Sequence, residues 1–263
     1  MVTADLHVHT TNSDGSMELD EVPAAAKRAG VSVVAITDHD RVHPDLDSPA
    51  EYREGVLLVH GIELRVEAPA ERVDLLGYGV TPTIELEREI ERLQTDRATR
   101  GARIIENVEA ELGIDLELEP RPGLGRPHIA RAVAERTELT VNEVFDELIG
   151  DDGPCYVSRE VPSFETGVAL LREACDVVGL AHPFRYDDPE AALALCAELD
   201  AVERFYPYGF AVDTDRVDAA IAEHDLLATG GSDAHDDVLG RAGLDEDDYD
   251  RFRARLSLDG VRE

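Results

Sequence analysis

Short apolar runs, each ending in a histidine or an acid, recur along this chain between helix-patterned stretches, and that rhythm limits its folds more than any other feature. The first run is Val2-Thr-Ala-Asp-Leu-His-Val-His9, with Asp14 close behind. On an extended segment His7 and His9 project from the same face, because side chains alternate along a strand. Thr37-Asp-His-Asp40, Gly61-Ile-Glu63, Ala181-His-Pro183 and Gly231-Ser-Asp-Ala-His235 repeat the arrangement, each directly after an apolar run. Strands alternating with helices imply a parallel sheet. Ligand-type residues at every strand exit favour a closed barrel over an open sheet, since barrels build their sites from loops at the C-terminal strand ends.

The pattern predicts strands over 2–9, 31–36, 55–59, 73–78, 177–181, 201–203 and 226–229. Helices are expected from Met17 to Ala29, closed by Gly30, and over 164–174, 190–199, 214–224 and 247–256. After Pro82 the rhythm changes. Ile84 to Leu112 reads as one long, charge-laced helix, with shorter helices near 129–136 and 141–149. The expected division is a barrel of residues 1–83 and 161–263, interrupted by a helical insertion of residues 84–160 that covers the active site.

Charge narrows the function. Lys and Arg total 25 against 58 Asp and Glu, a formal net charge of −33, and Lys27 is the only lysine. We expect a halophilic surface, because only strong screening tolerates so dense an acidic shell. The same shell argues against broad nucleic-acid binding, although a few arginines and metal ions suffice to make a local positive pocket. Cys155, Cys175 and Cys196 are widely spaced, with no Cys-x-x-Cys, and read as reduced thiols without a disulfide partner. No apolar stretch approaches the length of a membrane span and the N-terminus lacks signal-peptide features. The expectation is a cytoplasmic protein with no membrane partner.

Nine side chains are candidate metal ligands: His7, His9, Asp14, His39, Glu63, Asp74, His182, Asp233 and His235. Imidazole and carboxylate without thiolate suit Mn²⁺, Fe²⁺ or Zn²⁺. Nine exceed what one ion needs, so two or three ions sharing a bridging carboxylate are expected, with Glu63 as the bridge. The remaining histidines have plainer readings. His43 sits in a loop beside Pro44, His60 ends a strand, and His224 ends a helix, where a cation is favourable. Asp5, Asp38 and Asp40 flank ligands and are candidates for orienting them.

His7-Val-His9, Thr37-Asp-His39, Glu63, Ala181-His-Pro183 and Ser232-Asp-Ala-His235 together resemble the motifs of the PHP (polymerase and histidinol phosphatase) superfamily, in order, across nearly the whole chain. Gly125-Arg-Pro-His-Ile-Ala130, Tyr156-Val-Ser158 and Ala181-His-Pro-Phe-Arg-Tyr186 are similar to the branch of 3′,5′-nucleoside-bisphosphate phosphatases and 5′-3′ exoribonucleases. The resemblance implies an α/β fold, a distorted (β/α)7 TIM-like barrel with a helical insertion. It implies one ion on His7, His9, Glu63 and Asp233, a second on Asp14, His39 and His235, and a third on Glu63, Asp74 and His182, with Mn²⁺ the expected metal. Asp74 departs from the branch, which usually carries histidine there.

The implied activity is phosphoester hydrolysis by a metal-activated hydroxide. Arg185, just after His182, is expected to clamp phosphoryl oxygens and His128 to add a contact. The expected substrate is a small phosphorylated nucleotide, such as a nucleoside 3′,5′-bisphosphate, or a short RNA 5′ end. Histidinol phosphate is an alternative substrate, and a non-catalytic metal-binding regulatory module is an alternative of another class.

Overall fold

A computed structural model of the chain describes residues 1–47 and 49–262. They divide into two compact units, Met1–Glu87 with Val161–Glu263, and Arg88–Glu160.

The first unit opens with β1, Ala4–Val8, whose five residues are all buried, as expected of a strand covered on both faces. Helix α1, Val22–Ala29, carries Pro23 in its first turn and ends at Gly30 in the left-handed conformation, φ +74°. Strand β2, Val33–Ile36, runs parallel to β1. Strand β3, Ala50–Arg53, and β4, Val56–Glu67, form a hairpin across Glu54 and Gly55, both at positive φ. Strand β5 is Arg72–Tyr78. The chain then leaves through α2, Ile84–Leu112, in agreement with the long helix read from the sequence.

The second unit contains most of α2, α3 (Arg126–Ala134) and α4 (Val141–Val144), with one wider turn over Phe145–Ile149. It has a core of its own, in which Ile104, Ile105 and Val108 pack with Leu124, Ile129 and Val144, among others. At roughly 1.5–3 kcal/mol per fully buried large aliphatic side chain, such a cluster accounts for a separate helical unit.

The chain returns to the first unit through α5 (Phe164–Ala174), β6 (Val177–Leu180), α6 (Pro189–Ala194), β7 (Ala201–Phe205), α7 (Asp215–His224), β8 (Leu227–Gly230) and α8 (Glu246–Arg253). The strand order is β1-β2-β4-β5-β6-β7-β8, with β3 hanging on β4. This is the distorted, seven-stranded α/β barrel expected from the sequence, and two of its pairings correct the expectation of a parallel sheet. β4 pairs antiparallel with β5, and β5 with β6. Only four residues join β4 to β5, far fewer than a parallel crossover needs.

Val8 at the end of β1 bridges Ala234 in the loop after β8, where the His9 N–H donates to the Ala234 carbonyl at 3.0 Å. A Cβ at Gly231 would stand 2.3 Å from the His7 backbone nitrogen, so glycine is what lets this loop lie against β1. Asp5 fastens the same corner by accepting the backbone N–H groups of Ser232, at 2.9 Å, and Gly240, at 2.8 Å. The free end of β1, and with it His7 and His9, is thereby held against the loop that carries Asp233 and His235.

Candidate metal centre

Alternation along β1 puts His7 and His9 side by side, ring centroids 5.1 Å apart, both fully buried. Glu63 reaches them from the middle of β4. One of its carboxylate oxygens lies 3.4 Å from His7 Nε2 and 3.1 Å from His182 Nε2; the other lies 3.5 Å from His9 Nε2 and 2.6 Å from His39 Nδ1. One carboxylate thus faces four imidazoles from three different segments. Asp233 Oδ1 closes the group at 3.2 Å from His9 Nε2 and 3.6 Å from His7 Nε2. On the open side Asp14 Oδ1 lies 3.3 Å from His235 Nε2 and 3.7 Å from His39 Nε2.

Four groupings of ligand atoms result: His9, Asp14, His39 and His235; His7, His9 and Glu63; His7, His182 and Asp233; and Glu63, Asp74 and His182. All nine of the ligand-type residues singled out in the sequence come together in them. The inner nitrogens His7 Nε2 and His9 Nε2 are buried without a well-aligned hydrogen bond. Buried polar atoms in that state are costly unless something else satisfies them. Divalent cations fit that demand and this all-nitrogen-and-oxygen donor set.

The electrostatics agree. Burial raises the pKa of the Glu63, Asp14 and Asp233 carboxyls, but the imidazoles around each outweigh it and hold all three below the usual carboxylate range. Burial lowers His9 to about 4, helped by His235 and His39, so its ring is neutral. His7 is driven upward despite burial, because Glu203, Glu63 and Asp233 surround it.

Backbone strain marks the same place. His182 (φ +27°) and Asp233 (φ +48°) sit in a region that non-glycine residues avoid, as does Asp40 (φ +51°) beside His39. Such positions cost on the order of 1–3 kcal/mol each and persist where surrounding structure enforces them.

Three contacts were not singled out from the sequence. Glu203, fully buried in the middle of β7, accepts from His7 Nδ1 at 3.1 Å and from the His182 N–H at 2.8 Å. It thereby turns His7 Nε2 toward the cluster, as an outer carboxylate commonly does for a ligating imidazole. It is the last residue of the strand read from the sequence over 201–203, so the signal was present. Arg65 grips Asp74 with both nitrogens of its fork, Nε at 2.8 Å and Nη2 at 2.6 Å. It lies two residues beyond Glu63 on β4, hence on the same face. Tyr206, just after β7, donates its hydroxyl to Asp233 Oδ2 at 2.7 Å.

The remaining sequence candidates divide. Arg185 stands at the rim, Nη1 2.8 Å from the Tyr206 hydroxyl and 3.1 Å from Asp233 Oδ2. His128 belongs to the other unit, where its Nδ1 accepts the Gly125 N–H at 3.0 Å at the start of α3. Asp38 orients a loop rather than a ring, taking hydrogen bonds from Thr10, Asn12 and Ser13. Asp40 accepts the Arg65 N–H at 3.1 Å.

Residues 5–150 match the PHP domain family. A 3′,5′-nucleoside bisphosphate phosphatase of Chromobacterium violaceum is 26% identical over 93% of this chain and 90% of its own length. A phosphoribosyl 1,2-cyclic phosphate 1,2-diphosphodiesterase of Eggerthella lenta is 28% identical over 88% and 93%. Among solved structures, a protein of Bifidobacterium adolescentis assigned as a metal-dependent phosphoesterase superposes with a TM-score of 0.80 at 25% identity, covering 97% of this chain and 96% of that one.

Proposed function

The chain belongs to the PHP domain family and is a metal-dependent phosphoesterase, and on that premise we propose that it hydrolyses the phosphate ester of a small nucleotide, in particular a nucleoside 3′,5′-bisphosphate. The observation that carries the reading is the single carboxylate of Glu63 set among four imidazoles, with Asp14 and Asp233 alongside.

Two cations, with Mn²⁺ our choice, would be held by His7, His9, Glu63 and Asp233 and by Asp14, His39 and His235, with Glu63 between them. Bound there, such ions supply Lewis-acid activation of water and neutralise charge on the phosphoryl group. The chain's own side chains do the rest. Glu203 fixes His7 so that Nε2 faces inward. Tyr206 and Arg185 hold Asp233 from the solvent side. Arg185, 54% exposed at the rim, supplies a planar fork suited to phosphoryl oxygens. Arg185→Lys should keep its metal and lose about tenfold in kcat/KM, the value of one charge-assisted hydrogen bond. Unimpaired kinetics would remove Arg185 from this role.

Substrate size follows from the acidic surface, whose net charge of −33 repels long polyanions more than short ones. A 5′-phosphorylated RNA end is the alternative, because a terminal nucleotide presents the same chemistry. The three cysteines are unpaired, Cys155 and Cys196 buried and Cys175 partly so, which fits a reducing, cytoplasmic setting. Among the described residues no helix is long and apolar enough to cross a membrane.

The deciding experiment is metal analysis of the manganese-loaded protein together with a phosphate-release panel. The panel contains nucleoside bisphosphates, 5′-phosphorylated RNA, a ribose cyclic phosphate and histidinol phosphate. Preference for the bisphosphate is the expected result. Bound metal without hydrolysis of any ester would make this a non-catalytic module instead. The halophilic reading predicts a melting temperature that rises by several degrees, at roughly 4 °C or less per kcal/mol for a chain this long, between dilute buffer and molar potassium chloride. An unchanged value would count against it.

A further inference from the structure

An aromatic run leads outward from the metal centre, and beyond Tyr206 nothing in the chemistry above uses it. The chain has seven tyrosines and six phenylalanines, and six of these residues fall between Phe184 and Phe210. The Tyr206 ring stands edge-on to His182 at 5.4 Å. Tyr208 follows at 4.7 Å from Tyr206, with Phe184 against it at 5.5 Å, and Phe210 lies 5.8 Å beyond Tyr208. Gly209, at φ +73°, makes the turn that separates the last two rings. Tyr208 is held in place, its hydroxyl accepting the Phe184 N–H at 3.4 Å. Phe210 is 62% exposed, one of the few large apolar side chains in that state.

A fixed ring continued by an exposed one, a ring's width from a ligand imidazole, is unusual on a surface otherwise saturated with acid. We propose that Tyr208 and Phe210 form a stacking platform for the nucleobase adjoining the scissile phosphate. The inference rests on the phosphoesterase reading of the metal centre and specifies what its substrate must carry. With phosphate at the ions and Arg185 at the rim, the ribose spans the Tyr206 edge and the base reaches the next two rings.

The charge of the protein gives the platform its purpose. A net charge of −33 works against capture of an anionic substrate, and the salt that relieves this repulsion also weakens ionic contacts to phosphate. Stacking of a base on an aromatic face involves little charge and survives high salt. It also accepts any base, because every base has a π-face. The platform therefore predicts tight but base-indifferent selection of nucleotides.

The test compares wild type, Tyr208→Leu, Phe210→Ala and Tyr208→Phe in the manganese-loaded protein. Each is assayed on adenosine 3′,5′-bisphosphate, on a 5′-phosphorylated diribonucleotide and on ribose 3,5-bisphosphate, which lacks the base. Removing either ring should raise KM for the base-bearing substrates about tenfold, the value of one base–aromatic stack, with kcat retained. KM for the ribose bisphosphate should stay within twofold, and Tyr208→Phe should behave as wild type. A larger effect on the diribonucleotide than on the mononucleotide would assign the platform to RNA ends; the reverse assigns it to free nucleotides. Equal losses with and without the base, or none, would overturn the proposal.

Equilibrium binding of the same three compounds, followed by tyrosine fluorescence in calcium-loaded protein, separates this inference from the reading it rests on. Base-dependent binding lost in Phe210→Ala, in a protein that hydrolyses nothing, would sustain the platform and sink the phosphoesterase reading. Binding that ignores the base in an active enzyme would do the opposite.

Discussion

The two flanks of Glu63 are built from the same kinds of residue and differ in what already satisfies them. On one side Asp14 Oδ1 faces the imidazole nitrogens of His235 and His39, at 3.3 and 3.7 Å. On the other, Asp74 and His182 complete a grouping with Glu63, yet both oxygens of Asp74 are held by Arg65. Burial lowers and Asp74 raises the Arg65 guanidinium, and Asp74 prevails. A cluster of acids and histidines is therefore not by itself a metal site: a protein cation can occupy the place of a metal, and in sequence the two flanks look alike.

Removing the shared carboxylate breaks the comparison most severely. Glu63→Gln removes the shared negative charge and turns one of its two imidazole-facing oxygens into an amide donor, and both flanks should lose affinity for metal. Activity should fall by more than about 100-fold, beyond the 10–100-fold typical of losing an outer-shell partner. Metal content measured after dialysis tells whether both ions depend on it; two retained equivalents would mean that Glu63 is not shared. Glu203→Gln tests the layer behind. It weakens the acceptor at His7 Nδ1 without touching the ligand set, so metal affinity should drop about 10–100-fold while stoichiometry stays fixed. A changed stoichiometry would place Glu203 among the ligands.

The sequence made the ligands more legible than the contacts that hold them, for a physical reason. Ligands at strand exits leave a local mark, an apolar run followed by His, Asp or Glu, and His7, His9, His39, His182, Asp233 and His235 all carry it. The seven-strand barrel follows from the same alternation, and α2 from its apolar spacing. What escaped depends on pairing between distant segments. The antiparallel β4–β5 pairing is fixed by the four-residue link between Glu67 and Arg72, and the β3–β4 hairpin by the turn at Glu54 and Gly55. Both signals are short and were outweighed by the strand–helix rhythm elsewhere. Arg65 escaped because its role exists only once β4 and β5 lie in register, Arg65 directly opposite Asp74.

That pair gives the smallest predicted effect and the finest test of the comparison. The Asp74 side chain is 3% exposed and that of Arg65 is 36% exposed. Breaking a fully buried pair costs about 3–5 kcal/mol, and partial solvent screening of Arg65 brings Arg65→Met down to roughly 2 kcal/mol. The loss should appear as a lower melting temperature in metal-free protein. With manganese present the same variant should regain most of it by binding one further equivalent, since Asp74, Glu63 and His182 then face an unfilled gap. Asp74→His alone should leave stoichiometry unchanged, because the Arg65 charge remains beside the site and repels a cation. Combined with Arg65→Met, it should add the equivalent. If Asp74→His by itself gains an ion, then the carboxylate was the obstacle and the guanidinium was not. The two flanks of Glu63 would then differ by one residue's chemistry rather than by an internal cation.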